Sequence, residues 1–188
     1  MAELYISTDI ETDGPIPGKH SMLSLGSAAF TPNSDIISTF TCNLKRLPSA
    51  TPHPVTMEWW DNYPDAWLAT RSNLIEPVDG ITNYFNWLSG LPGRLVFVGY
   101  PAAFDFMFVY WYLINFVGKS PFAHSALDIK SYAMATFKTE YRKSSKVNIE
   151  KYLKISTNHT HLALEDAIQQ GKLFCSLLKY NEYQSPEN

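Results

Sequence analysis

The stretch "LVFVGYPAAFDFMFVYWYLINFVG", residues 95–118, constrains the fold more than any other. It is long and apolar enough to suggest a bilayer span. Gly99 and Pro101 interrupt it early, however, and Asp105 would lie near mid-membrane, where a carboxylate costs about 2.5–3.5 kcal/mol on insertion scales. Without a membrane, Arg94–Gly99 reads as a strand covered on both faces, followed by a short turn and a buried helix from about Phe104 to Phe116. A strand covered on both faces needs helices on either side of its sheet, so the expectation is an α/β protein with no membrane segment.

The remaining segments fit that layering. "LYISTDIE" (4–11), "SMLSLGSAAF" (21–30) and "DIISTFTCNL" (35–44) read as strands, the last two joined by "TPNSD" as an antiparallel hairpin. "VTMEWWDNY" and "PVDGITNYFNWLSGL" have helical spacing, and "SALDIKSYAMATF" reads as a short strand entering a helix. A long helix follows from about Leu162 to Tyr180, with Leu164, Ile168, Phe174 and Leu177 among its apolar positions. Three strands followed by alternating helices and strands predict a mixed sheet flanked by helices, in a single domain over 1–188 with its core at about 4–178.

A hydrophobic content of 45% in 188 residues excludes a disordered chain. The net charge of −3 supplies no positive field, so a nucleic-acid partner would need a local basic patch. Two distant cysteines, Cys42 and Cys175, form no disulfide framework, and "MAELYIST" lacks the features of a signal peptide. The expected setting is therefore the reducing cytoplasm.

Within the first strand, Ile6, Thr8 and Ile10 share one face, which puts Asp9 and Glu11 together on the other. Two carboxylates that close repel and resist desolvation. A shared divalent cation would remove the conflict, although D-x-E alone is a weak signal and also describes a solvated strand end. Asp105 strengthens the case, because an acid among aromatics at a helix start needs a cap, a helix dipole or a metal. The segment "HTHLALEDAIQQGKLF" adds Asp166, one turn into the last helix, with His161 five residues before it. His159 is a nearby competitor without that spacing. Four carboxylates are the hard oxygen ligands that Mg²⁺ and Mn²⁺ prefer, and an imidazole can take a proton from water near neutral pH. Two such ions stabilise the attacking and leaving oxygens of a phosphodiester displacement.

The ordered set Asp9, Glu11, Asp105, His161 and Asp166, within "DIETDG", "FD" and "HLALEDA", resembles the DEDDh branch of the DnaQ-like 3′–5′ exonucleases over residues 4–178. That resemblance implies an RNase H-like fold with a mixed five-stranded sheet flanked by helices. It implies a two-metal 3′–5′ exonuclease in which Asp9, Glu11, Asp105 and Asp166 hold Mg²⁺ or Mn²⁺, His161 is the general base and Thr12 lies beside the terminal nucleotide. It also makes a homodimer plausible. Where the family often has Gly-His-Asn-x-x-Phe-Asp, this chain has "GYPAAFD" (99–105), so Tyr100 and Pro101 replace a polar pair and a substrate hydrogen bond there is in doubt.

The expected substrate is single-stranded RNA or DNA with a free 3′ end, trimmed to nucleoside 5′-monophosphates, with RNA slightly favoured. "KTEYRKSSKVNIEKYLK" (138–154) carries six Lys/Arg against two Glu. It reads either as a solvated helical face or as a phosphate-contacting lip with Arg142, Lys143 and Lys146 as contacts. Trp59 and Trp60 are candidates to stack on bases, only one of them facing a cleft, and Phe104 either wedges against a base or packs in the core. The alternatives are a non-catalytic nucleic-acid-binding module on the same fold and a phosphodiesterase for small molecules or dinucleotides.

Overall fold

A computed structural model of the chain describes residues 2–184. In chain order it forms β1 (Glu3–Thr12), β2 (Met22–Phe30), β3 (Ile36–Leu44), α1 (Pro54–Trp60), α2 (Pro64–Thr70), β4 (Leu74–Ile75), α3 (Pro77–Ser89), β5 (Arg94–Gly99), α4 (Ala102–Val117), β6 (Leu127–Asp128), α5 (Ile129–Thr136), α6 (Lys146–Leu153) and α7 (Ala163–Gln184). A one-turn 3₁₀ segment, Tyr141–Lys143, precedes α6. The sheet runs β4-β3-β2-β1-β5-β6, with β1, β2 and β3 antiparallel and β5 parallel to β1.

The long apolar stretch divides as its punctuation predicts. Gly99 ends β5, α4 begins at Ala102, and Gly118 terminates the helix with a left-handed φ of 79°. Among the described residues, no helix is long and apolar enough to cross a membrane.

β1 lies inside the sheet, and helices cover both its faces. Ile6, Thr8 and Ile10 turn toward α3 and α4, where Ile6 and Ile10 join a core with Leu25, Tyr84, Phe108 and Tyr112. The Thr8 hydroxyl is buried, yet it is satisfied by Ser27 Oγ at 2.8 Å, which in turn lies 3.0 Å from Tyr84 Oη. The other face meets α7, where Ser7 Oγ donates to the Ala167 carbonyl at 2.7 Å. A second core there includes Phe30, Val98, Leu173, Phe174 and Leu177.

The resemblance implied five strands; six form. The addition is β4, two residues paired parallel to the end of β3 through Asn43–Leu74 and Leu44–Ile75. A two-residue strand has no alternation to read, and only its neighbour's free backbone recruits it. The basic stretch 138–154 is not one helical face. Ser145 caps a separate α6, its hydroxyl accepting from the Asn148 amide.

Candidate active site

Asp9 and Glu11 sit near the C-terminal end of β1 and point to the α7 side of the sheet. Asp9 pairs across β2 with Gly26, and a bulge follows between Glu11 and Thr12. Gly26 determines how close α7 can come. A Cβ there would lie 2.2 Å from the Leu164 amide nitrogen, so the start of α7 rests directly on the sheet. That approach carries Asp166, in the first turn of α7, down to the β1 acids. Oxygens of Asp9, Glu11 and Asp166 lie within 4.8 Å of one another.

Asp105 arrives from the other side of β1, in the first turn of α4. The start of that helix is held by Asp128, whose Oδ2 accepts from the Ala102 amide at 3.0 Å. Gly99 makes room, since a Cβ there would come within 3.1 Å of Asp105 Oδ2. That oxygen is buried and has no hydrogen-bond partner among the described residues.

The electrostatics follow from this crowding. Burial, then the charge of Asp166, push Asp9 up to about 7. Burial raises Glu11 well above its ordinary value, and Asp9, Asp166 and Asp105 add to it. Burial and Asp9 raise Asp105 in the same way. Asp166 is the exception. Burial pushes it up, but His159 and the amides of Thr160 and His161 outweigh that and hold it below its usual value. Three acids that resist ionising, one with an unpartnered buried oxygen, and a fourth that stays charged form an all-oxygen set whose repulsion a divalent cation would remove. The residues fit a metal.

The H-x4-D spacing acquires a structural reason. Asp166 Oδ1 accepts from the Thr160 amide at 2.9 Å and Oδ2 from the His161 amide at 2.8 Å, which folds the chain back over the start of α7. His161 adopts a left-handed φ of 57°, a conformation enriched in His. Its ring packs on Tyr63 at 4.2 Å and on Trp59 at 5.0 Å, centroid to centroid. Burial and neighbouring His159 lower its pKa, favouring the neutral imidazole.

His159 binds Asp166 Oδ2 through Nδ1 at 2.9 Å, and that hydrogen bond raises its pKa. Asp9, Tyr100, Pro101, Lys146, His159 and Asp166 line one cavity of about 300 Å³. His161 instead lines a neighbouring cavity of about 230 Å³ with Asn43, Thr70 and Glu165. The two imidazoles thus flank Asp166, with one nitrogen of each within 4.8 Å of it and of each other.

Thr12 is buried, and its carbonyl accepts from Trp60 Nε1 at 3.0 Å, so Trp60 packs while Trp59 stays partly exposed beside His161. Tyr100 reaches from the cavity wall to the Ser144 carbonyl at 3.0 Å, which tethers the basic segment near the acids. Phe104 packs against Phe108. Of the three basic residues, Lys146 alone reaches the cavity. Lys143 pairs with Glu140 at 2.8 Å, and Arg142 is exposed. Tyr63 was missed, although it follows Trp59 by one helical turn, and so was Gln170, whose amide donates to the Thr8 carbonyl at 2.6 Å and anchors α7 on β1.

A mixed sheet with acids on its inner strand and a helix laid against them is the architecture of the RNase H-like exonucleases. The fold matches the nuclease domain of 3′hExo, a DEDDh family member bound to rAMP, with a TM-score of 0.69 at 11% identity over 94% of this chain and 91% of that one. It matches the complex of Escherichia coli ExoI with single-stranded DNA at 0.69 and 15% identity, over 100% of this chain and 42% of that one. It matches S. pombe Pop2p in its Mg²⁺- and Mn²⁺-bound form at 0.64 and 16% identity, over 91% and 81%. No protein-family model matches the chain. The Escherichia coli 3′-5′ DNA exonuclease Cap18 is 34% identical over 191 residues, spanning 96% of this chain and 94% of that protein. The chain belongs to the same family, the DEDDh-type 3′–5′ exonucleases, which act through divalent metal ions.

Proposed function

We propose that the chain hydrolyses single-stranded DNA from its 3′ end and releases nucleoside 5′-monophosphates. The observation that carries this is the convergence of Asp9, Glu11 and Asp166 within 4.8 Å, with Asp105 raising their mutual repulsion, beside an aromatic-flanked histidine. The sequence alone leaned toward RNA; the 34% identical relative, named a DNA exonuclease, turns the preference to DNA.

In this reading Asp9, Glu11, Asp105 and Asp166 hold Mg²⁺ or Mn²⁺, which supplies Lewis-acid stabilisation of the charge developing on the phosphate. His161, neutral at working pH, accepts the proton of the attacking water. His159, ordered by Asp166, faces the same phosphate from the first cavity together with Lys146. Trp59 and Tyr63 flank the terminal base. Thr12 lines its sugar, and Tyr100 and Phe104 border the entrance; Arg142 and Lys143 stand clear of that cavity, Lys143 paired with Glu140. The 188 residues act as one catalytic domain. Both cysteines are free, as suits a reducing cytoplasm.

The test uses DNA and RNA oligonucleotides labelled at either end and incubated with Mg²⁺ or Mn²⁺. A 5′-labelled DNA strand should shorten as a ladder while a 3′ label leaves at once as a mononucleotide. A ladder from the 3′-labelled strand would reverse the polarity and end the reading.

A further inference from the structure

Separate from the two cavities at the acids, a cavity of about 270 Å³ is lined by Lys45, Arg46, Trp67, Arg71 and Leu74. None of these residues has a part in the chemistry above. Arg46 and Arg71 approach the Trp67 ring at 5.6 and 5.9 Å from its centroid. Each guanidinium is already anchored: Arg46 Nε sits 3.0 Å from the buried Asp13 Oδ2, and Arg71 Nη2 donates to the Leu44 carbonyl at 2.6 Å. Arg71 Nη1, however, is buried with no hydrogen-bond partner among the described residues. Lys45 completes the rim, half exposed and 2.5 Å from Glu76.

This cluster mirrors the acidic one. Three cations share two carboxylates, and burial followed by the charge of Arg46 pulls the Arg71 pKa down. An anion would relieve that repulsion as a cation relieves the acids. An indole beside fixed guanidiniums is also the pairing that takes a phosphate together with a base face.

The position relative to the site supplies a register. Ring contacts run from His161 to Trp59 at 5.0 Å, Trp59 to Trp60 at 4.9 Å and Trp60 to Trp67 at 5.4 Å. The pocket therefore lies at most about 15 Å from the catalytic histidine, a span of no more than about four nucleotides at about 3.4 Å per stacked nucleotide. The two cavities are lined by neighbouring residues of the same two segments, Asn43 and Thr70 with His161 in one, and Lys45 and Arg71, just past the ends of β3 and α2, in the other.

We propose that the pocket of Lys45, Arg46, Trp67 and Arg71 is a second nucleotide subsite. It grips one phosphate and one base of the single strand within about four nucleotides of its 3′ terminus. This rests on the exonuclease reading above and adds the path that the strand takes away from the acids.

Photocrosslinking tests the path without needing turnover. Octanucleotides carrying 5-iodouracil at the second, fourth or sixth position from the 3′ end are bound with Ca²⁺ in place of Mg²⁺, irradiated, and the adducts mapped. The fourth position should mark the peptide containing Trp67. Adducts from the fourth and sixth positions on Tyr141–Tyr152, or none on α2, would overturn the proposal and route the strand over α6. A second measurement uses Lys45→Glu. The octanucleotide should bind about five-fold more weakly relative to a trinucleotide, and its log–log salt dependence should fall by about 1. Equal weakening of both lengths would assign Lys45 to folding and overturn the subsite. Failure to trim either labelled end would sink the exonuclease reading, while the crosslink map would still decide this one.

Discussion

Asp9 and Asp166 carry the same functional group almost in contact, yet their surroundings drive them apart. Asp9 rises to about 7 through burial and through Asp166, whereas the His159 hydrogen bond and two backbone amides keep Asp166 ionised. Acids raised on folding bind protons more tightly in the native state than in the unfolded chain. The stability that Asp9 contributes is therefore complete below its ordinary value near 4 and is lost as pH climbs through about 7. In EDTA, the melting temperature should fall between pH 5 and pH 8, and Mg²⁺ added at pH 8 should restore it; a flat metal-free profile would contradict the repulsion. Glu11→Gln removes one of the repelling charges, so it should abolish cleavage and still raise the metal-free melting temperature at pH 8 by a few degrees. His161→Ala should lower kcat by about 10²- to 10⁴-fold and leave oligonucleotide binding, read by anisotropy, nearly intact. At this scale the sequence was informative where chemistry was unusual. An acid inside an aromatic helix, Asp105, announces itself, whereas Tyr63 and His159 acquire meaning only from where α1 and the segment before α7 come to rest.

For whole elements, the decisive contact is that of α7 with β2. Gly26 has no side chain where the Leu164 amide needs the space, and Gly171 similarly yields to the Phe30 ring, 2.1 Å from where a Cβ would lie. Gly26→Ala should lift the start of α7, costing about 1–3 kcal/mol in denaturant unfolding. Activity should fall further than that loss of folded protein explains, because Asp166 moves with the helix. Strands β1, β2, β3 and β5 were legible because each has the length for a pattern. The short strand at the start of "SALDIKSYAMATF" was legible as β6, but the two-residue β4 was not separable from its loop, and α2 follows α1 too closely for its apolar spacing to stand out. Pairing with β3 creates β4, and no local propensity records it.

Across the whole molecule, a chain of net charge −3 separates its charges. Acids gather at the end of β1, while cations stand on α6 and beside Trp67. A folded protein that binds cations only when its acids are assembled is stabilised by mass action. Mn²⁺ at 100 times its dissociation constant should add about 2.7 kcal/mol to unfolding free energy, read by denaturant titration. No gain would mean that the acids do not hold the ion together. The layering was readable from the apolar pattern alone, but the basic pocket was not, because Lys45, Arg46, Trp67 and Arg71 come from separate segments.

Asp166 ties a knot as well as bearing a charge. Both of its oxygens close on main-chain amides, at Thr160 and His161, so the anion offered to an ion also fastens the loop that carries the base. Cutting it with Asp166→Ala should let deuterium exchange into those two amides and set the imidazole adrift in the same stroke. Asp166→Asn, whose remaining carbonyl oxygen still accepts one of the amides, should keep part of the loop protected while weakening the hold on the metal. The gap between the two variants would measure how far arrival of the ion and orientation of the base are a single event.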